Sequence, residues 1–136
     1  MDTYTYFSEV LNSIVITTEV ASQEIIDAKP ASDSIWVETD PNTRGNLHYS
    51  NQEVINKDGK TVIEYKPDSL PAMRGNYGLR GYTYDGVNDV FYPQKPYPSY
   101  VLNQTTWTWE APVPYPTDKK LYRWNEETGA WDQVTA

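Results

Sequence analysis

Leu102-Asn103-Gln104-Thr105-Thr106-Trp107-Thr108-Trp109 and, 22 residues further on, Trp124-Asn125-Glu126-Glu127-Thr128-Gly129-Ala130-Trp131 are two versions of one pattern. Each opens on a bulky residue and Asn, and each ends on a Trp six residues after that Asn. A looser version runs from Tyr84-Asp85 to Phe91. An Asn or Asp side chain closes an Asx turn onto its own backbone, and a loop of about four or five residues then returns the chain. The trailing aromatic (Phe91, Trp109, Trp131) thereby lands beside the leading residue (Tyr84, Leu102, Trp124), as cross-strand partners do. The pattern predicts three aromatic-clasped hairpins, with Asp85, Asn103 and Asn125 forming the turns. Taken as one strand, Trp107-Thr108-Trp109 sends both Trp rings to one face and Thr108 to the other.

Outward from these clasps the chain keeps the same character. Pro93, Pro96, Pro98, Pro112, Pro114 and Pro116, several beside Tyr, favour extended connectors over helix. Arg74-Gly75-Asn76-Tyr77-Gly78-Leu79-Arg80-Gly81 carries three glycines, which permit tight turns or close backbone approach. In the first half, residues 3–10 and 14–20 are rich in β-branched and aromatic side chains and are separated by Leu11-Asn12-Ser13, predicting an N-terminal hairpin. Ser22 is placed to cap a helix of at most two turns before Pro30. Ile35 to Glu38 is a short strand, and Asp40 to Gly45 a polar loop. Val54-Ile55 and residues 61–65 flank Asn56-Lys57-Asp58-Gly59-Lys60, predicting a second hairpin with a bulged turn at Gly59. The expected fold is mainly β: short antiparallel strands in a small sandwich or barrel-like domain, with a Pro/Tyr/Trp-rich hairpin array at the C-terminus. A division near Pro67 to Pro71 separates regions 1–70 and 71–136, or both share one core.

Composition narrows the function. The 136 residues carry 19 acids and 11 bases, a formal charge of -8, which argues against gripping phosphate backbones. The acids concentrate in residues 1–70, while most of the 12 Tyr and 5 Trp lie beyond them. Tyr and Trp present an apolar body with a polar handle and suit half-exposed binding surfaces. There is no Cys, hence no disulfide, thiolate metal site or Cys nucleophile. No charged start followed by an apolar run suggests a signal peptide, and no stretch of about 18 apolar residues suggests a membrane span.

Catalytic chemistry finds little support. His48 is the one histidine, and no Gly-x-Ser-x-Gly elbow accompanies it. Asp85 with Asp89, or Glu126 with Glu127, are pairs of the glycosidase type, but the second pair falls in a predicted turn. Asp40 to Gly45 begins like a calcium loop, yet Arg44 holds its fifth position and Asn51 its twelfth. Asp85 to Asp89 offers acids for calcium that turn chemistry explains equally well. The residues therefore point to contact and not to turnover: no catalytic residue, cofactor or metal is expected. Contact or clasp roles fall to Tyr84, Phe91, Tyr97, Tyr100, Trp107, Trp109, Trp124 and Trp131. These aromatics serve either as core or as a sugar-stacking or partner-docking surface, and exposure of the rings discriminates the two.

Several segments are familiar in their order: Ile35-Trp36-Val37-Glu38-Thr39, Asn42-Thr43-Arg44-Gly45-Asn46-Leu47-His48-Tyr49, Arg74 to Asp85, Lys95-Pro96-Tyr97-Pro98-Ser99-Tyr100-Val101-Leu102-Asn103, Trp109-Glu110-Ala111-Pro112 and Tyr122-Arg123-Trp124-Asn125-Glu126-Glu127-Thr128. Together they resemble a family of small virion-associated proteins of marine tailed phages, cyanophages especially. Tyr100 stands where that family usually has Trp, and Gly78-Leu79-Arg80 interrupts its usual Ala-Gly-x-Gly. The resemblance implies a non-enzymatic structural protein of the virion, made in the host cytoplasm. Such an accessory or decoration subunit docks on a symmetric capsid or tail scaffold, its partners being other virion proteins in many copies. The alternative is a carbohydrate-binding host-recognition module of a tail fibre or spike, contacting host glycan. Neither reading involves nucleic acid or membrane insertion.

Overall fold

The computed structural model describes residues 3–49 and 51–135. Its elements run β1 (Tyr4–Leu11), β2 (Ile14–Ser22), α1 (Gln23–Asp27), β3 (Ile35–Thr39), β4 (Thr43–Arg44), β5 (Leu47–His48), β6 (Asn51–Lys57), β7 (Lys60–Lys66), β8 (Thr83–Asp85), β9 (Val90–Tyr92), β10 (Val101–Asn103), β11 (Thr108–Glu110), β12 (Tyr122–Asn125) and β13 (Ala130–Gln133). The fold is mainly β, with antiparallel pairing throughout the described strands. One five-stranded sheet has the order β3-β1-β2-β8-β9, so it takes strands from both sides of the Pro67–Pro71 break. The other strands form two-stranded hairpins: β4-β5, β6-β7, β10-β11 and β12-β13.

The hairpins of the first half share one kind of turn. Asn12-Ser13, Gly45-Asn46 and Asp58-Gly59 each connect two strands with both residues at positive φ, between 52° and 76°. Two-residue connections of this handedness match the right-handed twist of the strands they join. The loop expected to bulge at Gly59 is therefore tight, because Asp58 also adopts positive φ and Lys57 pairs directly with Lys60. The polar stretch from Asp40 also holds a small hairpin, β4-β5, turned at Gly45-Asn46. Ser22 caps α1 as its position suggests, its hydroxyl accepting from the Ile25 amide.

In β2 a bulge moves the register: Glu9 pairs with Thr17 but Val10 pairs with Val15, leaving Ile16 unpaired. That one-residue shift turns Val15 inward with Val10, where Val37 and Phe91 complete a small core and Tyr82 and Tyr84 pack against it. Ile14 and Ile16 stay exposed.

The glycine-rich segment is the strap that closes this sheet. Gly78 donates its amide to Thr39 Oγ1 (2.8 Å), and its carbonyl accepts from Ser8 Oγ and Thr18 Oγ1 (both 2.7 Å). Three strands, β1, β2 and β3, thus hold the two peptide groups on either side of the Gly78 Cα through small hydroxyl side chains, of which Ser8 and Thr39 are wholly buried. A Cβ at Gly78 would meet Ser8 Oγ at 2.5 Å and Phe91 Cε1 at 2.8 Å, so only glycine allows the backbone this close. Gly78→Ala is expected to destabilise the fold by about 1–3 kcal/mol through overpacking. Urea unfolding followed by Trp fluorescence measures it, and an unchanged midpoint would show that the strap can shift.

Candidate functional site

The three clasps form as the Asx spacing requires. Asp85 Oδ1 accepts from the amides of Val87 (2.9 Å) and Asn88 (3.1 Å). Asn103 Oδ1 accepts from Thr105 (2.8 Å) and Thr106 (3.1 Å). Asn125 Oδ1 accepts from Glu127 (3.0 Å) and Thr128 (3.2 Å). Asn103 and Asn125 use their amide nitrogens as well, donating to Glu110 Oε1 and Asp132 Oδ2 at the seventh residue onward. The carboxylate of Asp85 has no such donor and instead accepts from the Asn88 side chain (2.8 Å). In each loop the last residue turns left-handed: Asp89, Trp107 and Gly129, at φ 56°, 58° and 66°.

The leading and trailing residues are direct cross-strand partners: Tyr84 with Phe91, Leu102 with Trp109, Trp124 with Trp131. Ring centroids lie 5.0 Å apart in the first pair and 5.1 Å in the last. Trp107 corrects the picture of a Trp-Thr-Trp strand. It sits in the turn before β11, in a left-handed conformation that disfavours a bulky residue. The position is retained because Trp107 covers Gly75, where a Cβ would lie 3.1 Å from the indole, and stacks 6.5 Å from Tyr92.

Asn76, 5% exposed, joins the first two clasps to the rest of the molecule. Its Nδ2 donates to the carbonyls of Phe91 (2.9 Å) and Trp107 (2.8 Å), and its Oδ1 accepts from Gly45 N (2.8 Å). The later clasps are fastened to proline-rich linkers. Trp109 Nε1 donates to the Pro93 carbonyl (2.7 Å), and Trp131 Nε1 to the Val113 carbonyl (2.8 Å). Glu126 links the third clasp to the turn before the second, accepting from Ser99 N, Ser99 Oγ and Trp124 Nε1. Tyr100 stands edge-on to Trp124 at 5.7 Å and tilts against Tyr97 at 5.2 Å.

Exposure divides the aromatics by role. Phe91 (0%), Trp124 (5%) and Trp107 (9%) are core. Tyr84, Tyr100, Trp109 and Trp131 are half-buried, and Tyr97 is exposed. Between the second and third clasps an open groove of about 640 Å³ is lined by Tyr100, Trp109, Glu110, Val113, Tyr115 and Trp131. Of these, Glu110 and Tyr115 carry no signal in the Asx spacing. They join the groove because Asn103 orients Glu110 and because Tyr115 packs edge-on to Trp131 at 5.0 Å. Asn76 is equally silent in sequence, since only the fold brings its three partners together.

Of the acids weighed as glycosidase-type pairs, Asp85 accepts within its own turn, Asp89 accepts from Tyr84 and Arg74, and Glu126 accepts from Ser99 and Trp124. Hydrogen bonds from Asn88 hold the Asp85 carboxyl below the usual carboxylate range. Asp89 is lowered by the Tyr84 hydroxyl and by Arg74, whose Nε donates to it at 2.9 Å. Trp124 and Ser99 lower Glu126 in the same way. His48 ties two loops: Nδ1 faces the Asp68 carboxylate at 2.8 Å, and Nε2 lies 3.3 Å from Asp40 Oδ2.

Compared with known proteins, the chain matches no family model, no curated protein and no solved structure.

The Tyr84–Asp89 bond gives the first clasp a two-sided pH dependence. Burial, and then the bond to Asp89, raise the Tyr84 phenol, while that bond lowers the Asp89 carboxyl. The contribution of Asp89 is present above its unfolded pKa and is lost as pH falls through the lowered folded value. That of Tyr84 is present below the usual phenol pKa of about 10 and is lost as pH rises through the raised folded value. Tyr84→Phe should shrink both losses, which urea midpoints across the pH range will display. Removing a turn acceptor is a separate test: Asn103→Ala and Asn125→Ala should each cost about 1–2 kcal/mol. Asn76→Ala should cost about 3 kcal/mol or more, because it strands buried groups on three segments.

Proposed function

We propose that the chain is a non-enzymatic structural protein of a phage virion, an accessory or decoration subunit that docks on a symmetric capsid or tail scaffold. The observation that carries this reading is where the polar side chains of the C-terminal half are used. Asx acceptors, two indole-to-carbonyl bonds and Glu126 stiffen three clasps and their linkers into a fixed arm. A glycosidic general acid needs a raised pKa, whereas Asp85, Asp89 and Glu126 are all lowered. That direction suits ionised hydrogen-bond acceptors and supports contact over turnover.

Large apolar side chains stand out along this arm: Val87 at the tip of the first loop is 94% exposed, Leu121 70% and Val101 63%. Rigid display of such residues favours docking, since little conformational freedom remains to be lost on binding. Many copies on a symmetric particle then make modest interfaces hold firmly. The resemblance of the sequence to virion-associated proteins of marine tailed phages supports the same reading. The alternative, a glycan-binding module for host recognition, draws its support from the half-buried rings of the groove.

The test is quantitative mass spectrometry of gradient-purified particles from the phage that encodes the chain, alongside the unassembled lysate fraction. Co-sedimentation in several copies per particle, reduced by Val87→Asp or Val101→Asp with the soluble fold intact, is expected. Recovery in the soluble fraction alone would overturn the proposal.

A further inference from the structure

We infer that the groove between the second and third clasps is a binding site for a neutral oligosaccharide. This inference rests on the C-terminal array being a contact surface but not on its attachment to a particle. Tyr100, Trp109, Tyr115 and Trp131 place four aromatic residues in the lining of one open groove of about 640 Å³, which Val113 and Glu110 share. Pyranose rings present flat C–H faces and a rim of hydroxyls. They therefore ask for aromatic surface together with a few fixed hydrogen-bonding groups.

The fixed groups are present. Glu110 is oriented by Asn103 Nδ2 on Oε1 (2.8 Å), while its Oε2 has no hydrogen-bond partner among the described residues. The Tyr100 hydroxyl is equally unengaged among them. The Tyr115 hydroxyl accepts from Tyr122 N (2.9 Å), which fixes its ring beside Trp131.

The same hydrogen bonds argue against a proline-rich peptide, the other ligand that aromatic grooves take. Peptides in polyproline conformation present backbone carbonyls to donors on the groove, commonly an indole N–H. Here both indole N–H groups are already committed within the chain, Trp109 to Pro93 and Trp131 to Val113. What remains of each indole is carbon surface, which suits a sugar face and gives a peptide no donor. Charge narrows the glycan. Glu110 at the site and the net charge of -8 repel sulfated or carboxylated chains, and the nearby cation, Lys95, sits over the Trp109 ring at 5.6 Å.

The site is tested on the full chain, labelled with ¹⁵N, by following its five indole N–H signals. Soluble cello-, xylo-, manno- and chito-oligosaccharides are titrated to about 10 mM, a range that captures weak millimolar binding. The expected result is saturable shifts of the Trp109 and Trp131 signals by at least one neutral glycan, with Trp36 and Trp107 unmoved. Glu110→Ala should weaken that binding about tenfold, as loss of a charged hydrogen-bond acceptor does. Tyr100→Phe, which keeps the ring, should weaken it less. An unchanged Trp36 signal in both variants, on β3 of the five-stranded sheet and outside the groove, certifies the fold.

No saturable shift with any neutral glycan would overturn the inference. So would tighter binding of dextran sulfate, shifts produced only by a peptide of residues 93–98, or shifts that follow protein concentration and so report self-association. Particle association is measured separately, so failure of the glycan site and failure of the virion reading are distinguishable.

Discussion

The side chain of Asn76 and the backbone of Gly78, two residues apart, tie together segments from widely separated parts of this protein. Asn76 binds the turn of β4-β5, the carbonyl of Phe91 and the carbonyl of Trp107. Gly78 is held by hydroxyls from β1, β2 and β3. The nearby carbonyl of Arg74 accepts from Phe91 N, and Tyr77 N donates to Thr43 O. A strap without regular structure therefore does work that a layer of core side chains does in a larger domain. The aliphatic and aromatic core behind it is small, centred on Val10, Val15, Val37 and Phe91. With so little apolar burial available, fully satisfied buried polar groups acquire a large share of the task of specifying one structure.

Beyond the strap, the molecule changes its method of construction. The first half joins strands with two-residue turns at positive φ, setting β1-β2 into the five-stranded sheet and leaving β4-β5 and β6-β7 as separate hairpins. The second half repeats a four-residue Asx loop and fastens each of its last two hairpins to a linker by an indole N–H. Proline suits those linkers because it holds them extended and leaves carbonyls free to accept. The two devices need each other, since an isolated two-stranded hairpin is marginal in water. Stapling and edge-to-face packing, Tyr92 on Trp109 and Tyr100 on Trp124, turn the last two hairpins into an arm continuous with the first clasp, which the five-stranded sheet already holds.

The arm also explains how one set of aromatics serves two purposes. Core and surface were alternatives when the residues were read alone, yet the clasps divide them. Phe91, Trp107 and Trp124 fill the interior, while Trp109 and Trp131 lie half-buried with their N–H groups bonded to the Pro93 and Val113 carbonyls. Satisfying the indole N–H within the chain leaves ring carbon at the surface without stranding a donor. Such a ring is rigid and costs little entropy when a partner covers it.

What the sequence determined by itself was local and periodic. The β character, the N-terminal hairpin, the Ser22 cap and the Asx clasps at Asp85, Asn103 and Asn125 follow from interactions within about ten residues of chain, where residue type decides backbone geometry. Even there, Trp107 defeated a reading by alternation, because a contact with Gly75 far away in sequence outweighs the local preference against positive φ. Only the tertiary structure decided that Asn76 is a hub, that Gly78 is needed for closeness and not for turning, and that Glu110 and Tyr115 share a groove with two indoles. Each depends on segments that meet through packing, and no spacing along the chain encodes which carbonyl a buried amide or indole will find.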